Sequence, residues 1–224
     1  MRALTRIAVL TIIFALATYT ALNTQTYIGD SPTFNKTLGL GSLLIIGGYG
    51  LYVNLTAIIT NAVLVTIFYL VLAKDKPRTG SARYSLGIVA VYALIAAAFY
   101  LAIITNPAQA CTPLPTNLDS TATFTASIVI GSATPLVYVY KKRWRVGSNW
   151  KPLLFTLYAS IVAGSLIIDT TTALALSSIH WLIPRVCVSS VTIGAYGPID
   201  GLVTAPLLGL LAGYIVMSTI TNKQ

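Results

Sequence analysis

The sequence predicts an all-α fold, a polytopic membrane helical bundle, and three observations carry that prediction. Hydrophobic residues make up 56% of the 224 residues and charged residues only 8%. A soluble domain carries roughly 25% charged residues, because its surface must be solvated. The same scarcity of charge excludes intrinsic disorder and a coiled coil. Second, the apolar residues fall in runs long enough to cross a hydrocarbon core of about 30 Å, which takes about 20 helical residues. Third, 14 Lys and Arg stand against 5 acids, a net charge of +9, and the bases sit in short blocks between the apolar runs. There they read as orientation signals, so no nucleic-acid partner is expected. The alternation of a membrane β-barrel is absent. Residues 1–224 are expected to form a single integral membrane domain.

The spans follow in order. Arg2 and Arg6 precede an apolar run from Ile7 to about Ala21, expected as an uncleaved signal-anchor helix, and a polar loop covers Asn23–Thr37. Leu38–Ala73 carries no charge. As one straight helix it would measure roughly 54 Å, so it must break. Its first part is rich in glycine (Gly39, Gly41, Gly47, Gly48, Gly50), which permits turns and close approach. Residues 38–50 are therefore expected as a broken or interfacial segment, and about Leu51–Ala73 as the second span. Two short spans turning at Asn54 are the other way to break the run. Tyr84–Thr105, Ala122–Tyr140, about Pro152–Ser178 and Gly201–Ile220 complete six spans. The intervening loops are 74–83, which is basic, Asn106–Thr121, the Lys141–Arg145 block, and Ile179–Asp200.

Six spans put both termini on one side of the membrane. Arg2, Arg6, Lys74, Lys76, Arg78, Arg83, Lys141, Lys142, Arg143, Arg145, Lys151 and Lys223 then share the terminal side, and only Lys36 and Arg185 lie opposite. By the positive-inside rule the expectation is a multi-pass cell-membrane protein with cytoplasmic termini. The lipid bilayer is the expected partner, with other membrane subunits allowed. The Lys141–Arg145 block reads first as a topology signal and second as a contact for anionic headgroups.

Asp169 is the most informative residue. It lies within the fifth span in Ser165-Leu-Ile-Ile-Asp169-Thr-Thr-Thr172, where positions i, i+4 and i+7 share one helix face. An ionisable residue at that depth is costly and faces a bundle interior or water. Asp169, Ser165 and Thr172 are thus candidate ligand- or ion-binding residues. Asp200, in the turn Tyr196-Gly-Pro-Ile-Asp-Gly201 before the last span, joins them. The plain alternative is a hydrogen-bonded structural Asp. Cys111 and Cys187 are the two cysteines, placed in different outer loops by this topology; that compartment is oxidising, so a disulfide between them is expected. His180 is the single histidine, which excludes a bis-histidine haem and multi-histidine metal centres. No metal and no cofactor is expected. Ala205-Pro-Leu-Leu-Gly209-Leu-Leu-Ala-Gly213 is a row of small residues expected to pack closely on a neighbouring helix.

Transport is the function this pattern favours, either alone or as a membrane subunit of a larger transport complex. The short loops hold no nucleotide motif, and small vitamin-binding subunits of energy-coupling transporters are similar in size and span number, an analogy at the level of fold. The alternative is an outward-facing membrane cysteine transpeptidase. Cys111, His180 and Arg185 all fall on the outer side and supply a thiol, a base and a cation. The segment Ala110-Cys111-Thr-Pro-Leu114, followed by a span, a basic block and two further spans, resembles the exosortase and archaeosortase transpeptidases. That resemblance implies Cys111 as nucleophile; where those families carry arginine and histidine this chain has Asp169 and Pro198-Ile-Asp200. An enzyme is the lesser expectation. A purely structural or assembly subunit is the third class.

Overall fold

The computed structural model describes residues 50–53, 55–73, 81–106, 114–142, 150–182, 190–194 and 201–221. In chain order they form strand β1 (Gly50–Val53), helices α1 (Leu55–Leu72), α2 (Ser81–Thr105), α3 (Leu114–Lys141) and α4 (Lys151–Leu182), strand β2 (Ser190–Ile193) and helix α5 (Gly201–Thr221). Four of the five helices are long and apolar enough to cross a membrane, and α1 contributes a shorter apolar stretch, Ala57–Leu72. The described helices form a bundle compatible with an integral membrane protein. The first expected span, residues 38–49, Cys111, Cys187 and Asp200 lie outside the described residues.

Local chemistry sets the helix ends. α1 ends at Leu72, with Ala73 in a turn, and α2 ends at Thr105, ahead of Asn106-Pro107. The residue before a proline is pushed away from helical backbone angles. Pro115 and Pro152 sit in the first turns of α3 and α4, where the missing N–H has no intrahelical acceptor to lose. Several boundaries move from their expected places. α3 begins at Leu114, inside the expected loop, and Asp119 lies on helical backbone. α4 runs on to Leu182 and so takes in His180. Helix α1 begins at Leu55 rather than Leu51, because Gly50–Val53 is a strand.

The two strands pair in parallel, Gly50 opposite Ser190 through Val53 opposite Ile193. Both precede a helix, so the pairing places the starts of α1 and α5 at the same end of the bundle. The helix contacts agree. Along α3 and α5, Phe124 lies by Gly201, Gly131 by Gly209, and Val139 by Met217, so these helices run parallel. Along α2 and α4, Ser85 meets Ser160, Tyr92 meets Gly164, and Ile103 meets Ala175, again parallel. Between α4 and α5, Ala173 packs on Leu202, while Ile161 lies by Gly209 and Leu157 by Gly213, an antiparallel order. The helices alternate in direction from α1 to α5. Arg83, Lys141, Lys142 and Lys151 consequently gather at one end, opposite the strand pair. Aromatic rings line that basic end. Tyr84 and Tyr138 meet edge to face at 6.2 Å, Trp150 and Tyr214 lie 5.8 Å apart, and the Lys141 ammonium stands 5.4 Å from the Tyr84 ring centre. This is the belt expected where a helix leaves hydrocarbon for headgroups.

α4 is the central helix and packs on every other helix and on β2. Its buried Leu154, Leu157, Ile161 and Ile168 form the main core with Ile88, Tyr92 and Ala96 of α2 and Ile130 of α3. α1 and α2 turn Ile59, Val63, Ile67, Leu70, Leu86, Leu94 and Leu101 outward, as a lipid-facing surface requires. Two prolines inside helices have visible consequences. Pro206 cannot donate to the carbonyl of Leu202, four residues earlier, and the Asn61 side-chain amide donates to that oxygen at 3.0 Å from α1. Pro135 likewise withdraws a donor from the Gly131 carbonyl, and a Cβ on Gly213 would stand 3.1 Å from that oxygen. The glycine row of α5 thus lies against the backbone of α3, close enough for Cα–H···O contacts that stabilise such crossings.

Candidate functional site

The site is built on the half of α4 nearest the strand pair and on the turn after β2. Ile193 and Gly194 are buried, and Ile193 packs with Ala173 and Leu202. Non-helical backbone at this depth is tolerated only where protein covers it and its polar groups are paired. The pairing with β1 and the packing on α4 meet both conditions. Gly194 has φ of 69°, a left-handed conformation natural to glycine. Its N–H donates to Asp169 Oδ2 at 3.2 Å, and Asp169 is half-buried. The carboxylate therefore faces the strand pair within the bundle rather than lipid. α5 is 21 residues long, about 31 Å, so its start at Gly201 marks one edge of the hydrocarbon core. Ala173 packs at the level of Leu202, and Asp169 lies one turn deeper, about 6 Å.

Ser165 and Thr172 flank the carboxylate on the same face. Ser165 is fully buried and Thr172 is 3% exposed. Neither hydroxyl has a hydrogen-bond partner among the described residues. Other hydroxyls in these helices behave differently: those of Thr66, Ser127, Ser132, Thr156, Ser160 and Thr219 donate to the carbonyl four residues earlier at 2.7–3.0 Å. That back-bonding is the ordinary resolution for Ser and Thr within a helix. A buried hydroxyl left without a partner costs about 1–3 kcal/mol. Two such groups beside one carboxylate make a site with unspent donors and acceptors, suited to a small polar or cationic ligand or to water.

The polar ground continues towards the bundle centre. Tyr92 of α2 is fully buried, its hydroxyl 2.7 Å from Ser127 Oγ of α3, and Ser127 donates to the Thr123 carbonyl. The Tyr92 phenol has Ser165 Oγ as a second hydroxyl neighbour beside Ser127, close by but short of good hydrogen-bond geometry, so Ser165 faces the Tyr92–Ser127 pair. Asn61, bonded to Leu202 at the strand-pair end, has no partner for Oδ1 among the described residues. Among the described residues no three His, Cys, Asp or Glu side chains come together as a metal site.

Helical spacing puts Ser165, Asp169 and Thr172 on one face, and α4 is helical through all three. That spacing missed Tyr92, Ser127, Asn61 and Gly194, which reach the site from other elements. Asn61 did leave a signal, as an amide within a charge-free span, and Tyr92 left one as a phenol in the middle of the next. The expected Cys111–Cys187 disulfide, Arg185 and Asp200 fall outside the described residues. Comparison with known protein families, with characterised proteins and with solved structures finds no match to this chain.

Proposed function

We propose that this chain is a transport protein, or the membrane subunit of a larger transport complex, working at the polar site around Asp169, Ser165 and Thr172. One observation carries the reading: two buried hydroxyls without partners among the described residues flank a carboxylate inside the bundle. Ionisable residues at membrane depth mark ligand and ion pathways, and a purely structural Asp has no need of unsatisfied neighbours. Its ligand is a small polar or cationic species that enters from the strand-pair end. The basic residues at the opposite end support a cell-membrane orientation with that end, and both termini, in the cytoplasm.

Asp169→Asn tests the site. Asn keeps a carbonyl-type acceptor for the Gly194 N–H and removes the charge, so thermal stability in detergent should stay within about 1 kcal/mol of wild type. Native mass spectrometry of the detergent-extracted protein should show a copurified small molecule or partner chain on wild type, and Asp169→Asn should lose the small molecule. Identical spectra for the two proteins would remove small-molecule binding at the site from the account.

A further inference from the structure

The orphaned polarity of α4 extends beyond the three residues of the Asp169 site. Tyr158 lies seven residues before Ser165, and its hydroxyl too is buried with no partner among the described residues. At 3.6 residues per turn, Tyr158, Ser165, Asp169 and Thr172 fall within an arc of about 60°. They form one stripe from 158 to 172, about 21 Å of a hydrocarbon core of about 30 Å. Three fully or almost fully buried hydroxyls on this stripe share the same condition, while their neighbours Thr156 and Ser160 are satisfied by the helix backbone. Orphans on one face, at regular depth, are where ordered water belongs, because each offers such a water a polar partner.

Resting on the transport reading above, we infer that this stripe is a proton path through the bundle, with Asp169 as its titrating station. The Asp169 carboxylate takes a proton from water on the strand-pair side and becomes a neutral acid. It passes that proton to a water held between it and Ser165. Along the stripe each hydroxyl gives one proton and receives one, so Ser165 and Tyr158 end unchanged. One proton moves from end to end, no electron moves, and Asp169 returns to its carboxylate. The longest step, from Ser165 to Tyr158, rises about 10.5 Å along the helix, and the Tyr92–Ser127 hydroxyl pair lies beside its start. Packing selects the species. The hydroxyls are enclosed by side chains, and hard metal cations such as Ca²⁺ and Mg²⁺ take about six or more oxygen ligands. A proton needs only a file of hydrogen bonds.

The full chain reconstituted into liposomes, with a pH-sensitive dye inside and a potassium–valinomycin potential across the membrane, tests this. Wild type should acidify the lumen when the interior is negative. Asp169→Asn should lower the rate at least tenfold, and Ser165→Ala and Tyr158→Phe several-fold, each at a melting temperature close to wild type. Thr156→Val, which removes a hydroxyl already satisfied by its own helix, should leave the rate unchanged. No proton flux in wild type, or equal flux in Asp169→Asn, overturns the proton path. An Asp169-dependent sodium flux without proton flux overturns it as well while keeping the transport site. Loss of both fluxes, together with identical native mass spectra for wild type and Asp169→Asn, removes the transport reading itself.

Discussion

Gly131→Ala should destabilise the bundle by about 2 kcal/mol net, although alanine is the better helix former. A Cβ at Gly131 would overlap the carbonyl oxygen of Gly209 and stand 2.8 Å and 2.9 Å from its Cα and C atoms. All three are backbone atoms, so no rotamer can relieve the overlap and α3 and α5 must separate. Overpacking of this kind costs about 1–3 kcal/mol and sometimes more, against a helix-propensity gain of about 1 kcal/mol. Gly87 supplies the control, since a Cβ there meets nothing within 4 Å. Gly87→Ala should be neutral or stabilise by up to about 1 kcal/mol. Thermal melts of the two variants in one detergent compare them directly. Equal melting temperatures would mean that α3 and α5 do not pack through their glycines.

The second large effect belongs to Tyr92. Its ring lies on the bare backbone of Gly164, and its hydroxyl is 2.7 Å from Ser127 Oγ. Tyr92→Ala empties a fully buried site and should cost about 3–5 kcal/mol, as large-to-small changes of aromatic core residues do. Tyr92→Phe keeps the ring and removes one interhelical hydrogen bond, a loss of about 0.6 kcal/mol within membranes. Unfolding titrations of both variants separate volume from polarity. A Phe variant as weak as the Ala variant would make the hydroxyl, not the ring, the main contributor.

What could be read from the sequence follows from how local each feature is. The span expected over Tyr84–Thr105 is found as Ser81–Thr105, because a charge-free run closed by Asn106-Pro107 leaves little choice. The start of α3 was hidden, since Leu114-Pro-Thr-Asn-Leu-Asp-Ser-Thr is polar and proline-bearing. Hydropathy reads a helix extending out of the bilayer as a loop. The strands were hidden for a different reason. Gly50–Val53 and Ser190–Ile193 are four residues each, and they meet across most of the chain; neither has enough length to show a period of two. Pro135 and Pro206 sit inside intact helices, and the carbonyls that lose their N–H donors there face Gly213 and Asn61 from neighbouring helices. At the site, a period of 3.6 was enough to align Ser165, Asp169 and Thr172. The hydrogen bond from Gly194, and the missing partners of the two hydroxyls, depend on tertiary contacts that no spacing encodes.

The central claim is that the Asp169 face of α4 is polar ground reached by water from the strand-pair end. Substituted-cysteine accessibility measures that directly. In a background with Cys111 and Cys187 replaced by serine, Ser165→Cys and Thr172→Cys would be treated on intact cells with a small, charged methanethiosulfonate. Leu166→Cys, on the neighbouring outward face where Leu166 is 37% exposed, is the comparison. Thiols react as thiolates, which form in water and not in hydrocarbon. The account predicts labelling at Thr172→Cys, nearest the strand-pair end, slowed by Asp169→Asn because the carboxylate helps to hold water in the site, much less at the fully buried Ser165→Cys, and none at Leu166→Cys. An inert thiol at 172, in a protein that is folded and at the cell surface, would contradict it and leave Asp169 as a structural tie for the strand pair.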